Sequence, residues 1–271
     1  MKPKVKAPSF EAISKTLSII EKYSLSTVCY SSKCPNISEC FKRGTATFMI
    51  MGNICTRNCK FCNVTSAKPL PLDENEPLKI AKAVKELNLN YVVTTSVDRD
   101  DLSDYGSTHF YNVIEKIAAL NPNTKIESLT PDFRGDINAL NLMISSKSYK
   151  LAHNIETTKR LHKKLKPKSS YTLSLKVLEY YSKFKITKSS IIVGFGETFE
   201  EIEETMRDLK NAGLSQLTIG QYLRPSPKHY PVKKYYSKEE FELLENMAYS
   251  IGFKAVVAGE LVRSSYFADK L

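Results

Sequence analysis

The sequence predicts an α/β chain folded as a partial (β/α)6, TIM-like barrel with N- and C-terminal extensions. Three observations carry that expectation. Apolar runs of four to eight residues alternate with longer stretches of helical periodicity, giving about six strand–helix units. Polar residues collect where the apolar runs end. At 271 residues the chain is also long enough to bury one large core without disulfide staples.

An amphipathic helix opens the chain in SFEAISKTLSIIEKY. The strands follow in order as TATFMIM, YVVTTS, KIESL, YKLAH, SIIVG and LTIGQYL, short runs rich in β-branched and apolar residues. PLKIAKAVKELNL, FYNVIEKIAAL, INALNLMIS, TLSLKVLEYYSKF, EEIEETMRDLKNA and KEEFELLENMAYSIG supply the helices. Right-handed crossovers place the loop after each strand on one rim. Six polar loops should therefore meet there: CTRNCKFC after the first strand, Asp98 to Asp101 after the second, and Thr130, Asp132 and Arg134 after the third. His153, Asn154 and Glu156 follow the fourth strand, Gly194 to Glu197 the fifth, and Gln221, Tyr222 and Arg224 the sixth. No internal repeat, low-complexity segment or long linker interrupts the pattern. The expected organisation is an N-terminal extension over residues 1–43, the barrel over 44–236, and a C-terminal helix with its extension over 237–271.

The net charge of +11 is uneven, because residues 146–188 hold twelve Lys or Arg against Glu156 and Glu179. The densest part, KRLHKKLKPK, is either a solvated helix face or a surface that steers an acidic protein partner, with Lys163, Lys164 and Lys166 as its contacts. No aromatic residue interrupts it to stack a base and no nucleic-acid motif accompanies it, so nucleic acid is not an expected partner. No run of about 18 apolar residues could span a bilayer, and the N-terminus lacks the apolar core of a signal peptide. The expectation is a cytoplasmic protein with no membrane partner.

All six cysteines lie between Cys29 and Cys62, in two trios: Cys29, Cys34 and Cys40 within CYSSKCPNISEC, and Cys55, Cys59 and Cys62 within CTRNCKFC. Secreted frameworks spread their cysteines along a short chain, so these thiols are read as free for chemistry. Thiolates suit zinc or iron–sulfur clusters. Structural zinc wants a closed set of four ligands at close spacing, and none of the four histidines lies near either trio. Three thiolates on a four-iron cluster leave one iron open to a ligand that chelates through amine and carboxylate.

CTRNCKFC, with Phe61 before its last Cys, resembles the motif of radical S-adenosylmethionine (SAM) enzymes. The resemblance implies that Cys55, Cys59 and Cys62 hold a [4Fe–4S] cluster whose remaining iron takes SAM, and that reductive cleavage of SAM gives a 5′-deoxyadenosyl radical that abstracts hydrogen from an unactivated carbon. From Cys29 to Ala268 the chain is similar to the lipoyl synthase family, through the upstream trio, the C-terminal Arg263-Ser264-Ser265-Tyr266, and the stretches SVDRDDLSDYG, HNIET, VGFGET and GQYLRPSPKHYPV. That likeness implies an auxiliary [4Fe–4S] cluster on Cys29, Cys34, Cys40 and Ser265 that donates sulfur, the serine being a harder, displaceable ligand. It makes Cys55, Cys59, Cys62 and Ser265 the catalytic set, and has the C-terminal extension fold back over the site as a lid.

The implied reaction is that of a sulfurtransferase, inserting sulfur at C6 and C8 of an octanoyl chain on a carrier-domain lysine. The implied partners are the lipoyl carrier domains of 2-oxo acid dehydrogenase E2 or glycine cleavage H protein, an electron donor such as ferredoxin or flavodoxin, and a cluster-repair carrier. Carrier domains are commonly acidic, which gives the basic segment a docking role. Ser190 to Glu197 resembles the GxIxGxxE motif that sets Ile192 and Gly194 against adenine, with Ser190 where Gly is usual. Asn154, Glu156, Arg160, Thr95, Ser96 and Phe61 complete the expected SAM contacts, and Arg263 is expected beside the auxiliary cluster. Phe267 stands where the family often has His, and His109, His162 and His229 are expected at the surface or in caps. A methylthiotransferase or biotin-synthase-like enzyme would share CxxxCxxC without the upstream trio and RSSY. An electron carrier would need complete protein ligation, and a zinc nucleic-acid module would hold no iron.

Overall fold

The computed structural model describes residues 10–31, 34, 36–42 and 45–271. The described residues form two compact units, one containing residues 10–57 with Val64–Leu151, the other Asn58–Asn63 with Ala152–Leu271.

The first unit begins with α1 (Phe10–Lys22), β1 (Ser26–Thr27) and the short helices α2 (Val28–Ser31) and α3 (Ile37–Lys42). β2 (Thr45–Ile50) follows, then the small parallel pair β3 (Ile54–Cys55) and β4 (Thr65–Ser66), and α4 (Glu76–Glu86). β5 (Tyr91–Ser96), α5 (Ser107–Leu120), β6 (Lys125–Leu129), α6 (Ile137–Ser145) and β7 (Lys150–Ala152) continue the alternation. β1 runs antiparallel to β2, while β2, β5 and β6 lie side by side in parallel. Their register sets Met49 opposite Thr95 and Thr95 opposite Leu129, so the carboxyl ends of the three strands are level. α4 and α5 pack together because each presents an apolar stripe at helical spacing: Ile80, Ala81 and Val84 on one, Phe110, Val113, Ile114 and Ile117 on the other, all buried.

The second unit holds α7 (Lys159–Leu165), α8 (Tyr171–Ser182), β8 (Ile186–Val193), α9 (Phe199–Asn211), β9 (Gln216–Gln221), α10 (Lys238–Ile251) and β10 (Ala255–Gly259). β8, β9 and β10 are parallel neighbours, with Ile192 opposite Gly220 and Gly220 opposite Gly259. Capping boxes at Thr198 with Glu201 and at Ser237 with Glu240 satisfy the first N–H groups of α9 and α10. Gly252, at φ +102°, ends α10 in the left-handed conformation. The core of this unit packs Ile191 and Val193 of β8 and Leu217 and Ile219 of β9 against Ile202, Met206 and Leu209 of α9 and Phe241 and Leu244 of α10.

All six expected strands are present. β10 is a further parallel strand within the stretch expected to be a C-terminal extension, and α7 lies within the charged run. Among the described residues no helix is long and apolar enough to cross a membrane.

Candidate cysteine-cluster site

The upstream trio is tied to β2. The Cys34 N–H donates to the Cys29 carbonyl at 2.9 Å, the Thr45 hydroxyl donates to the Cys40 carbonyl at 3.0 Å, and Thr47 bonds Cys29. Burial pushes the Cys29 thiol up to about 12, helped by the charges of Cys34 and Cys40 and opposed by Thr47. Among the described residues no three Cys, His, Asp or Glu side chains are gathered as they would be around a bound metal ion.

Beyond the other end of β2, Met51 turns with φ +65°. Its N–H donates to Glu76 Oε2 at 2.9 Å, and the same oxygen meets His109 Nε2 at 2.6 Å. Cys55 then pairs with Ser66 across β3 and β4. Its sulfur accepts the N–H groups of Arg57 at 3.4 Å and Asp98 at 3.3 Å, and the thiol lies 3.8 Å from Asp98 Oδ2.

Arg57 fixes this loop to two strand ends. Its side chain is 4% exposed; Nε and Nη2 bond Asp100 at 2.8 Å, Nη1 and Nη2 bond Asp132 at 2.8 and 2.6 Å, and Asp98 lies 3.3 Å from Nη1. Burial disfavours the guanidinium charge, but the bonds to Asp100 and Asp132 outweigh it and hold the group above its ordinary value. Burial would likewise raise Asp100; Arg57 and Arg134 outweigh it and hold the carboxyl below its ordinary range. The loops after β2, β5 and β6 thus meet around one guanidinium.

Cys59 and Cys62 belong to the second unit. The Cys62 N–H closes a turn on the Cys59 carbonyl at 3.1 Å, and the Phe61 ring leans on Phe195 with centroids 5.9 Å apart. Phe195 in turn stacks on Tyr222 at 4.3 Å, beside Leu161, Leu165 and Ile192.

The expected SAM contacts lie at strand ends. In the first unit Thr95 and Ser96 finish β5 half-buried, and Ser96 Oγ is enclosed with no hydrogen-bond partner among the described residues. In the second, Asn154 Nδ2 donates to Glu156 Oε1 at 3.1 Å while Asn154 Oδ1 is enclosed with no hydrogen-bond partner among the described residues. Orphaned polar atoms of this kind fit a polar cofactor that would satisfy them. Glu156, at φ +71°, bridges to Ile191; its N–H donates to Ser190 and its carbonyl accepts from Ile192. Burial raises its carboxyl, only partly offset by Lys166 and Asn154. Gly194, at φ +112°, has no room for a side chain, since a Cβ would stand 2.3 Å from Gln221 Nε2. Glu197 accepts the N–H groups of Gly194 and Phe195 at 2.6 and 2.9 Å and so shapes that turn. Arg160 is exposed and engaged elsewhere, with Glu201 at 2.5 Å and the Gly196 carbonyl at 2.9 Å.

The RSSY stretch is seated in the second unit. Arg263 Nη1 donates to the Gln221 carbonyl at 3.4 Å, the Tyr266 N–H to Arg263 at 2.9 Å, and the Ala268 N–H to Ser265 at 3.4 Å. Ser265 is half-buried.

Several expectations are corrected. His109 and His162 are buried, the first on Glu76, 33 residues earlier, and the second edge-on to the Tyr171 ring of the next helix, because each has an internal partner. His229 is half-buried and bonded to the Cys62 carbonyl. Lys166 is buried with Nζ 3.3 Å from the Asn154 carbonyl, so it is no docking contact, and Lys150 and Lys188 are fully buried too. Lys163, Lys164 and Lys168 do face solvent. Arg57 and the Glu76–His109 pair went unassigned in the sequence; Arg57 sits inside the cysteine motif, the one signal that pointed to it.

A family model described as the radical SAM superfamily matches residues 49–209. The lipoyl synthase of Caldicellulosiruptor saccharolyticus is 48% identical over 270 residues, covering 98% of this chain and 95% of that one. That of Acidovorax ebreus is 50% identical over 256 residues, covering 93% and 78%. Among solved structures, methylornithine synthase (PylB) superposes with a TM-score of 0.59 at 15% identity, covering 89% of this chain and 74% of that one. The FeFe-hydrogenase maturase HydG from Carboxydothermus hydrogenoformans gives 0.63 at 13% identity, covering 96% and 68%. The structural likenesses bear out the fold, an α/β partial barrel. With relatives this similar over almost its whole length, the chain belongs to the lipoyl synthase family of radical SAM enzymes.

Proposed function

We propose that the chain inserts two sulfur atoms, at C6 and C8, into an octanoyl group carried on a lysine of a lipoyl carrier domain. Radical SAM membership implies one [4Fe–4S] cluster and SAM. In this reading Cys55, Cys59 and Cys62 hold that cluster, and Cys29, Cys34, Cys40 and Ser265 hold an auxiliary [4Fe–4S] cluster. The bound groups would supply the hydrogen-abstracting radical and the sulfur. The chain's own residues bind and orient: the N–H groups of Arg57 and Asp98 steady the Cys55 sulfur, and Ser96, Asn154 and Glu156 offer polar contacts to SAM. Phe61, Ile192 and Gly194 offer an apolar surface that excludes water from a reactive radical.

The observation that carries the proposal is that thiols from both trios attach to one strand, Cys29 and Cys40 through Thr47 and Thr45 of β2 and Cys55 just past its end. A test is anaerobic reconstitution with iron and sulfide, then SAM, a low-potential reductant and an octanoyl-lysyl peptide, following peptide mass and 5′-deoxyadenosine together. Two sulfurs added through a monothiolated intermediate are expected. Deoxyadenosine without sulfur transfer would overturn the assigned substrate or sulfur source, and neither product from a protein with both clusters intact would overturn the radical reading.

A further inference from the structure

Cys59 and Cys62 sit in a short segment, Asn58–Asn63, that has no helix or strand to aim the thiols, only the single turn between them. Its backbone is held from outside. The Lys60 N–H donates to the Leu165 carbonyl at the end of α7 at 2.8 Å, and the Lys60 carbonyl accepts the Tyr230 N–H at 3.0 Å. His229 Nε2 meets the Cys62 carbonyl at 3.1 Å, and His229 Nδ1 meets Ser226 Oγ at 2.9 Å.

The chemistry of these partners fixes the ring. A carbonyl only accepts, so Nε2 carries the hydrogen; in the neutral ring Nδ1 is then bare, and the Ser226 hydroxyl donates to it. Ser226 is itself set by the turn, since its carbonyl accepts the His229 N–H at 3.0 Å. Arg224 braces the same loop, with Nε on the His229 carbonyl at 2.9 Å and Nη2 on the Pro227 carbonyl. The Tyr222 hydroxyl donates to the Tyr230 carbonyl at 2.8 Å. The loop after β9 is thus a braced clip whose imidazole grips the peptide of the last cysteine in the motif.

We infer that His229, oriented by Ser226, is a positioning residue that sets the Cys62 peptide and so aims its thiolate. This rests on the reading of Cys59 and Cys62 as cluster ligands. His229 touches the ligand's backbone and is not itself a ligand.

The test compares His229→Leu, His229→Gln, whose amide N–H stands in for Nε2, and Ser226→Ala. The first readout is hydrogen exchange at the Lys60 and Cys62 amides in the metal-free protein, which is independent of any cluster. Loss of one orienting hydrogen bond should speed exchange there roughly fivefold in His229→Leu, with most protection restored in His229→Gln and an intermediate effect in Ser226→Ala. The second readout is the electron paramagnetic resonance spectrum of the reduced reconstituted protein with and without SAM. A perturbed SAM response in His229→Leu and a near wild-type one in His229→Gln are expected. Unchanged exchange in His229→Leu, or a His229→Gln variant as impaired as the leucine, would overturn the inference. If the wild-type protein showed no SAM-dependent spectrum, the cluster reading would fail, while the exchange data would still decide whether His229 holds this segment.

Discussion

Replacing Arg57 by Met keeps the volume of the side-chain stem and removes the charge that three aspartates share. The structure sets the size of the effect. Asp132 is 1% exposed and Asp100 16% exposed on the side chain, and the guanidinium bonds both of them bidentately. Deleting one partner of such a buried network leaves uncompensated charge and costs about 3–5 kcal/mol. Asp100 keeps Arg134 at 2.7 Å, which places the expectation toward the lower end. The pH dependence has a definite sign. Asp100 is held below its ordinary value of 3.8, so its contribution is fully present above that value and is lost as pH falls through the lower, folded-state value. Urea unfolding of metal-free wild type and variant should therefore differ most near neutral pH, with the gap narrowing below about pH 3.8 as Asp100 is protonated. A loss under about 1 kcal/mol at pH 7, or a gap that persists unchanged in acid, would refute the assignment of Arg57 as the electrostatic hub of the loop.

Other substitutions probe neighbouring elements. Gly194→Ala and Gly52→Ala both place a side chain at positive φ, but only at position 194 would the Cβ collide, 2.8 Å from the Lys234 carbonyl; thermal melts should show a loss for Gly194→Ala about twice that for Gly52→Ala or more. His109→Leu strips the buried Glu76 carboxylate of a 2.6 Å partner and should cost about 1–3 kcal/mol in urea, with Glu76→Gln recovering part of the loss in the double variant. Charge reversal at Lys163, Lys164 and Lys168 should slow reaction with a whole acidic carrier roughly tenfold at low salt yet spare an octanoyl peptide; equal losses on both substrates would rule out docking there.

The regular alternation made the strands legible, because period and composition are local properties. β10 was not, since AVVAG is only half-buried and follows a helix that looked like the end of the barrel. α7 hid in a charged run because only Leu161, His162 and Leu165 turn inward. The cysteine trios were legible from spacing alone. The groups that hold them were not: Arg57 finds its aspartates 43 and 75 residues later, and His229 finds Cys62 across 167 residues. The cysteines cluster in sequence, whereas the atoms that hold their loops are assembled by topology. A buried lysine such as Lys166 also looks the same in sequence as its exposed neighbours Lys163 and Lys164.

Gly220 lies mid-sheet between β8 and β10, and a Cβ there would fall 2.1 Å from the carbonyl oxygen of Val262. The approach to RSSY is thus seated by main chain against main chain. Any substitution at position 220 would lift that stretch off the end of β9. One atom's worth of added bulk, more than 40 positions from the serine, would be a lesion of the C-terminal segment disguised as a change in the sheet.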